Sequence, residues 1–136
     1  MRTKLGAMMA GLGLFCVTVP LVAHHGFETE YDAKKKVSLT GVVTAVEWKN
    51  PHMRVYVDVT DATGKVTNWN LELTSPNTVQ RQGWGKNDLK AGDKVTFEGF
   101  AGKVVESRAS LLSISKAGDG HPLFVQGGPG AANNPQ

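Results

Sequence analysis

Residues 52–74, HMRVYVDVTDATGKVTNWNLELT, decide the fold. Through Thr60 apolar and polar side chains alternate: Met53, Val55, Val57 and Val59 point one way, and His52, Arg54, Tyr56 and Asp58 the other. A period of two marks a strand with one face against a core. Asp61-Ala62-Thr63-Gly64 is turn chemistry, and Lys65 to Thr74 returns with Trp69, Leu71 and Leu73 as its apolar set. The register follows from keeping apolar against apolar. A two-residue loop would set Met53 opposite Glu72. A three-residue loop with Gly64 left-handed sets Val57 opposite Trp69, Val55 opposite Leu71 and Arg54 opposite Glu72, and that register is expected.

Upstream, Val37 to Trp48 is a further strand. Val37, Leu39, Val43 and Ala45 share one parity, while Val46 and Trp48 take the other. The change of phase between Gly41 and Val46 implies a bulge, or a strand coiled enough to serve two parts of a barrel. Asn50-Pro51 ends it. Downstream, Ser75-Pro76 reads as N-cap and first helical residue of a short helix reaching about Gln82 and stopping at Gly83, with Trp84 free to pack back. Leu89 to Asp93 is a turn into a fourth strand, Lys94 to Phe100. A fifth runs from about Ser107 to Ser115, with Ala109, Leu111 or Leu112, and Ile114 as apolar positions, and Gly118-Asp119-Gly120 leads to a short edge strand at Leu123 to Val125. The expected fold is therefore mainly β: a small OB-like five-stranded barrel with a short helix between strands 3 and 4. Closing the sheet hides its edges and lets so small a domain fold without disulfides.

The chain has 136 residues, enough for one core. Its first segment, 1–23, reads as an export signal: Arg2 and Lys4, then an apolar stretch from Leu5 to Val22, then Ala23 as the cleavage position. Segment 24–36 is polar with Phe27 and Tyr31 as anchors, 37–126 is the barrel, and 127–136, rich in Gly, Pro and Asn, is a disordered tail. The expected location is the bacterial periplasm or the medium, with membrane contact only if the signal stays uncleaved. The single cysteine, Cys16, lies inside the signal, so disulfides, thiolate catalysis and cysteine-type zinc sites drop out of the mature chain. The whole chain carries +3, but Arg2 and Lys4 leave with the signal, and the remainder is nearly neutral. Because non-specific nucleic-acid affinity rests on neutralising several phosphates, no nucleic-acid partner is expected.

The motifs His24-His25-Gly26-Phe27, Tyr31-Asp32, Leu39-Thr40-Gly41, Glu47-Trp48 with Asn50-Pro51-His52, Ser75-Pro76-Asn77, Gly83-Trp84 and Leu89-Lys90-Ala91-Gly92-Asp93 resemble a family of small exported bacterial proteins known only as a domain of unknown function. They span nearly all of the mature chain. Gly26 stands where that family usually has serine, and Ala91 where it usually has proline. The resemblance implies no activity, substrate or cofactor, so function has to come from the residues.

Three histidines carry the most chemistry. Cleavage after Ala23 would make His24 the first residue, whose free amine and ring Nδ1 can chelate one ion. That amine titrates near ~7.7–8.0, so a divalent metal can displace its proton at ordinary pH. A second imidazole, from His25 or His52, would complete a three-nitrogen site resembling the histidine brace of copper proteins. All-nitrogen ligation favours Cu(II) over Zn(II) on intrinsic affinity. Glu28, Glu30 or Asp32 could add an oxygen ligand or an acceptor behind the ring. The competing reading leaves His24 and His25 in a mobile terminus and His52 bonded to Asn50 or a nearby carbonyl. His121, beside Pro122, reads as a solvated loop residue.

Arg54, Tyr56, Asp58, Asn68, Asn70 and Glu72 form a polar ladder on strands two and three, the face on which OB barrels commonly hold ligands. The competing reading is a solvated face with a cross-strand Arg54–Glu72 pair. Trp69 belongs with the core, while Trp48 and Trp84 are open between packing and sugar stacking. Lys34-Lys35-Lys36 reads as the solvated beginning of a strand before contact with anionic lipid. No set of nucleophile, base and orienting group can be assembled, so the reading leans away from an enzyme. The first expectation is a periplasmic binding module holding a divalent metal such as copper through His24, His25 and His52, in metal handling or beside another envelope protein. The second is a metal-free binder of an oligosaccharide or small ligand on Arg54, Tyr56, Asp58, Asn70 and Glu72. The third is a copper oxidoreductase.

Overall fold

The computed structural model describes residues 22–127. Its elements are α1 (Val22–Glu30), β1 (Tyr31–Glu47), β2 (Arg54–Thr60), β3 (Val66–Glu72), α2 (Pro76–Arg81), β4 (Lys94–Gly102), β5 (Arg108–Lys116) and β6 (Phe124–Val125). The strands hydrogen-bond in the order β3-β2-β1-β4-β5-β6, and a further pairing of β3 with β5 closes the ring. That closure is parallel, with Leu71 opposite Ala109, while the other pairs are antiparallel. This is the expected OB-type barrel, with β6 as the short edge strand. Met53, Val55, Val57, Leu71, Val95, Phe97, Leu111 and Ile114 fill its interior.

The β2–β3 hairpin has the expected register: Val57 pairs with Trp69, Val55 with Leu71 and Arg54 with Glu72. Gly64 carries the positive φ that the loop needs, at 86°, and Asp61 Oδ1 holds the loop by accepting from Thr63 N and Lys65 N. In α2, Ser75 is the N-cap, accepting from Thr78 N, and Pro76 occupies the first turn. Gly83 takes φ 94° after it, and Trp84 turns back into the core at 2% exposure, 5.9 Å from the Trp48 ring in an edge-on arrangement.

Two bulges settle the phase problems. Val43 pairs with Val57 but Ala45 with Tyr56, so Thr44 and Ala45 together oppose one residue. Val43 is buried and Ala45, expected to share its face, is exposed. The extra residue turns Val46 and Trp48 inward instead. On β5, Glu98 pairs with Ser113 but Gly99 with Leu111, so the bulge absorbs Leu112 and lets both Leu111 and Ile114 face the core. Of the two leucines left open by the sequence, Leu111 is the core residue.

The beginning of the domain differs from expectation. β1 starts at Tyr31, six positions before Val37, because Tyr31 pairs with Gly102 ahead of the regular ladder that resumes at Lys36. Residues 22–30 form a helix that spans the expected end of the signal and the start of the polar segment 24–36, for which no helix was expected. It lacks an apolar stripe of its own and is seated from outside: Phe27 meets Tyr31 and Phe100 at ring distances of 5.6 and 5.9 Å, and Lys103 N donates to Glu30 O. No helix among the described residues is long and apolar enough to cross a membrane.

Candidate ligand site around His52 and Glu72

Glu72, the last residue of β3, is the centre of the polar face. Its Oε2 accepts from Arg108 Nη2 at 2.7 Å, Arg54 Nη2 at 2.8 Å and Tyr31 OH at 2.8 Å. Arg108 Nη2 also reaches Glu30 Oε2 at 2.8 Å, and its guanidinium lies 5.5 Å from the centre of the Tyr31 ring. Burial opposes the charged form of Glu72, but the hydrogen bonds from Arg108 and Tyr31, with the charges of Arg54 and His52, outweigh it and hold its carboxyl below the ordinary range. Burial and the Glu72 contact raise the Tyr31 phenol above its usual range, so it stays a donor.

The expected ladder residues divide into separate groups. Arg54 joins Glu72 and donates to Asn70 Oδ1 at 3.0 Å. Asp58 accepts from Asn68 at 2.8 Å, and Tyr56 OH points to Glu47 at 3.5 Å. These side chains direct their polar atoms at one another. Arg108, which the sequence did not single out, is the strongest partner of Glu72. It begins an ordinary apolar strand, and only the parallel closure of β3 on β5 brings it near, so no local signal marks it.

His52 lies beside Pro51, ahead of β2, with a half-exposed side chain. Its Nδ1 is 2.9 Å from Leu73 O and 3.5 Å from Glu72 Oε1. A carbonyl can only accept, so Nδ1 carries the hydrogen, and in the neutral ring Nε2 keeps its lone pair. Asn50 is not the partner; the nearby-carbonyl alternative is the one realised. His24 and His25 belong to the first turns of α1, and their side chains lie outside the described ones. Residues 1–21, with Cys16 and nearly all of the expected signal, and 128–136, nearly all of the expected tail, lie outside the described residues too. His121 is exposed in its loop, as expected. Among the described residues no three His, Cys, Asp or Glu side chains are grouped to hold a metal.

Beside His52 opens a cavity of about 710 Å³. Gly26, Phe27 and Glu30 of α1 line it together with Pro51, His52 and Glu72. Leu111 of β5 and Phe124 of β6 add apolar lining, and Ser75, Thr78 and Gln82, in and beside α2, add polar lining. The volume falls within the range of small-molecule sites.

Two solved structures resemble the fold. The mitochondrial single-stranded DNA binding protein Rim1 from S. cerevisiae matches with a TM-score of 0.49 at 12% identity, over 63% of this chain and 96% of that one. A dimeric structure of the N-terminal domain of PriB protein from Thermoanaerobacter tencongensis matches with a TM-score of 0.45 at 15% identity, over 63% of this chain and 99% of that one. The expectation that nucleic acid is excluded as a partner is corrected on this finding. It rested on summed charge alone, and a sum does not say where on a barrel the lysines lie. No curated protein matches the sequence. A family model does, over residues 11–109, which take in the His-His, Asn-Pro-His, Ser-Pro-Asn and Gly-Trp motifs. The chain belongs to that family, described as a family of unknown function (DUF6152).

Proposed function

We propose that the protein is an exported binding module that holds a divalent metal, copper in preference to zinc, between His52 and the histidines of α1. The observation that carries this is the His52 ring. Its Nδ1–H is fixed on the Leu73 carbonyl with the Glu72 carboxylate behind it, the arrangement by which proteins orient metal-ligating imidazoles through the other nitrogen. Gly26 and Phe27 line the same cavity as His52, and position 24 precedes Phe27 by about one helical turn. Cleavage after Ala23 would add the terminal amine as a third nitrogen. Nitrogen ligands rank Cu(II) above Zn(II).

The test is calorimetric titration of Cu(II) and Zn(II) into the untagged protein as the cell processes it, with its first residue fixed by mass spectrometry. Tight Cu(II) binding that falls at least tenfold in both His52→Ala and His24→Ala is the expected result. A Met left ahead of His24 should abolish the amine's share and spare a site built from side chains alone. Equal weak binding by wild type and both variants would end the metal reading.

A further inference from the structure

The cavity has a charge pattern that a metal site alone does not require. Among the described residues its wall holds two carboxylates, Glu30 and Glu72, and no lysine or arginine. The guanidinium of Arg108 grips both carboxylates at Oε2, and Arg54 grips Glu72 at the same atom. Among the described residues the nearest partner of Glu72 Oε1 is His52 Nδ1, at 3.5 Å, which leaves acceptor capacity unused. His52 Nε2 is a further acceptor, since the Leu73 carbonyl commits the ring hydrogen to Nδ1. Phe27, Leu111 and Phe124 line the same cavity. The lining therefore combines hydrogen-bond acceptors, among them two carboxylates that keep oxygen lone pairs beyond their arginine contacts, with apolar and aromatic surface.

We infer that this cavity binds a small organic cation, an ammonium group on an apolar or aromatic body, with the ammonium between Glu30, Glu72 and His52 Nε2 and the body against Phe27, Leu111 and Phe124. An ammonium donates three hydrogen bonds and accepts none, which matches those acceptors. Apolar and aromatic lining with a few polar groups is what small-molecule cavities use to hold a ligand's body. The inference goes beyond the metal reading and uses no residue before Gly26; the two share His52 Nε2, so metal and ammonium would compete for that atom.

Three probes of similar shape separate the possibilities: benzylammonium, benzyl alcohol and benzoate, titrated into the 15N-labelled protein in EDTA and followed by amide shifts. Benzylammonium should move the amides of Leu73, Ser75 and Phe124. It should bind at least about tenfold tighter than benzyl alcohol, as a charge-assisted contact implies, with benzoate weakest. Added NaCl should narrow that gap, and Glu30→Gln, checked for an unchanged melting curve, should shrink it. No shifts up to 10 mM probe (about the weakest affinity of interest), equal affinity for all three, or preference for benzoate would each overturn the inference. Because EDTA removes metal throughout, failure here leaves the copper titration standing, and the reverse also holds.

Discussion

Arg108 and Glu72 lie 36 positions apart in the chain and 2.7 Å apart at Nη2 and Oε2. The bond crosses the parallel β3–β5 seam, where Glu72 pairs with Ser110 and Asn70 with Arg108. Through its second contact, to Glu30 at 2.8 Å, Arg108 also fastens the end of α1 to the barrel. One guanidinium thus ties the ring closure to the helix that walls the cavity.

Removing that guanidinium should cost more than removing its neighbour. Arg108→Met leaves Glu72, whose side chain is 15% exposed, with one cation fewer and frees Glu30. A loss of about 2–3 kcal/mol in urea unfolding is expected, between the exposed and fully buried limits for ion pairs. Arg54→Met should cost about 1 kcal/mol, because Arg108 and Tyr31 still satisfy the carboxylate. The double variant should exceed the sum of the two, since both act on one oxygen. Additive losses would show that Glu72 is not the shared centre.

Acid should expose the same centre. A carboxyl whose pKa in the folded state lies below its unfolded value contributes stability that is fully present above the unfolded value. That contribution is lost as pH falls through the folded one. Glu72 is such a group. Asp61, Asp93 and Glu106 are lowered too, but they are common to wild type and a Glu72→Gln variant. The stability difference between these two proteins should therefore hold steady down to about pH 5 and shrink below it, the unfolded carboxyl titrating near ~4.3. A difference that stays constant to pH 2 (roughly two units further down) would remove Glu72 from the acid limb.

The hairpin, α2 and the order of strands were legible because each rests on local chemistry: alternation in 53–59, a turn ending in Gly64, and Ser75-Pro76 at a helix start. The position of the bulges was only half legible. The phase change in β1 is visible in the sequence, but whether Ala45 or Val46 turns inward depends on the partner strand. Leu111 and Leu112 differ in nothing except which of them Gly99 opposes. Helix α1 was illegible, since its seat is made by Phe100 and Lys103 from the far end of β4. The site shows the same division. His52 and Glu72 could be named from strand parity, while Arg108 came into place only through closure of the ring.

Close backbone approach in the coiled strand β1 is tested at Gly41. A Cβ built there would stand 2.3 Å from the Asp58 carbonyl oxygen and 2.7 Å from Val57 Cγ1. The first is main chain in the neighbouring strand, which cannot swing aside. Gly41→Ala should cost about 2–3 kcal/mol by forcing β1 and β2 apart. Gly26→Ala, in α1 with nothing within 4 Å of the new carbon, should be neutral or gain up to about 1 kcal/mol from helix propensity. Equal effects of the two changes on the unfolding midpoint would contradict the packing at Gly41.

Trp84 separates packing volume from hydrogen bonding in the core. The side chain is 2% exposed and packs edge-on against Trp48, yet its Nε1–H has no hydrogen-bond partner among the described residues. A buried donor without a partner carries a penalty of about 1–3 kcal/mol. Trp84→Phe removes that donor and loses part of a ring, two effects of opposite sign, so stability should change by less than about 1.5 kcal/mol. Trp84→Ala keeps only the loss and should cost about 3–5 kcal/mol. Guanidinium unfolding of both variants measures the difference. A phenylalanine variant as unstable as the alanine one would mean that the indole N–H is bonded in solution and that Trp84 contributes through that bond.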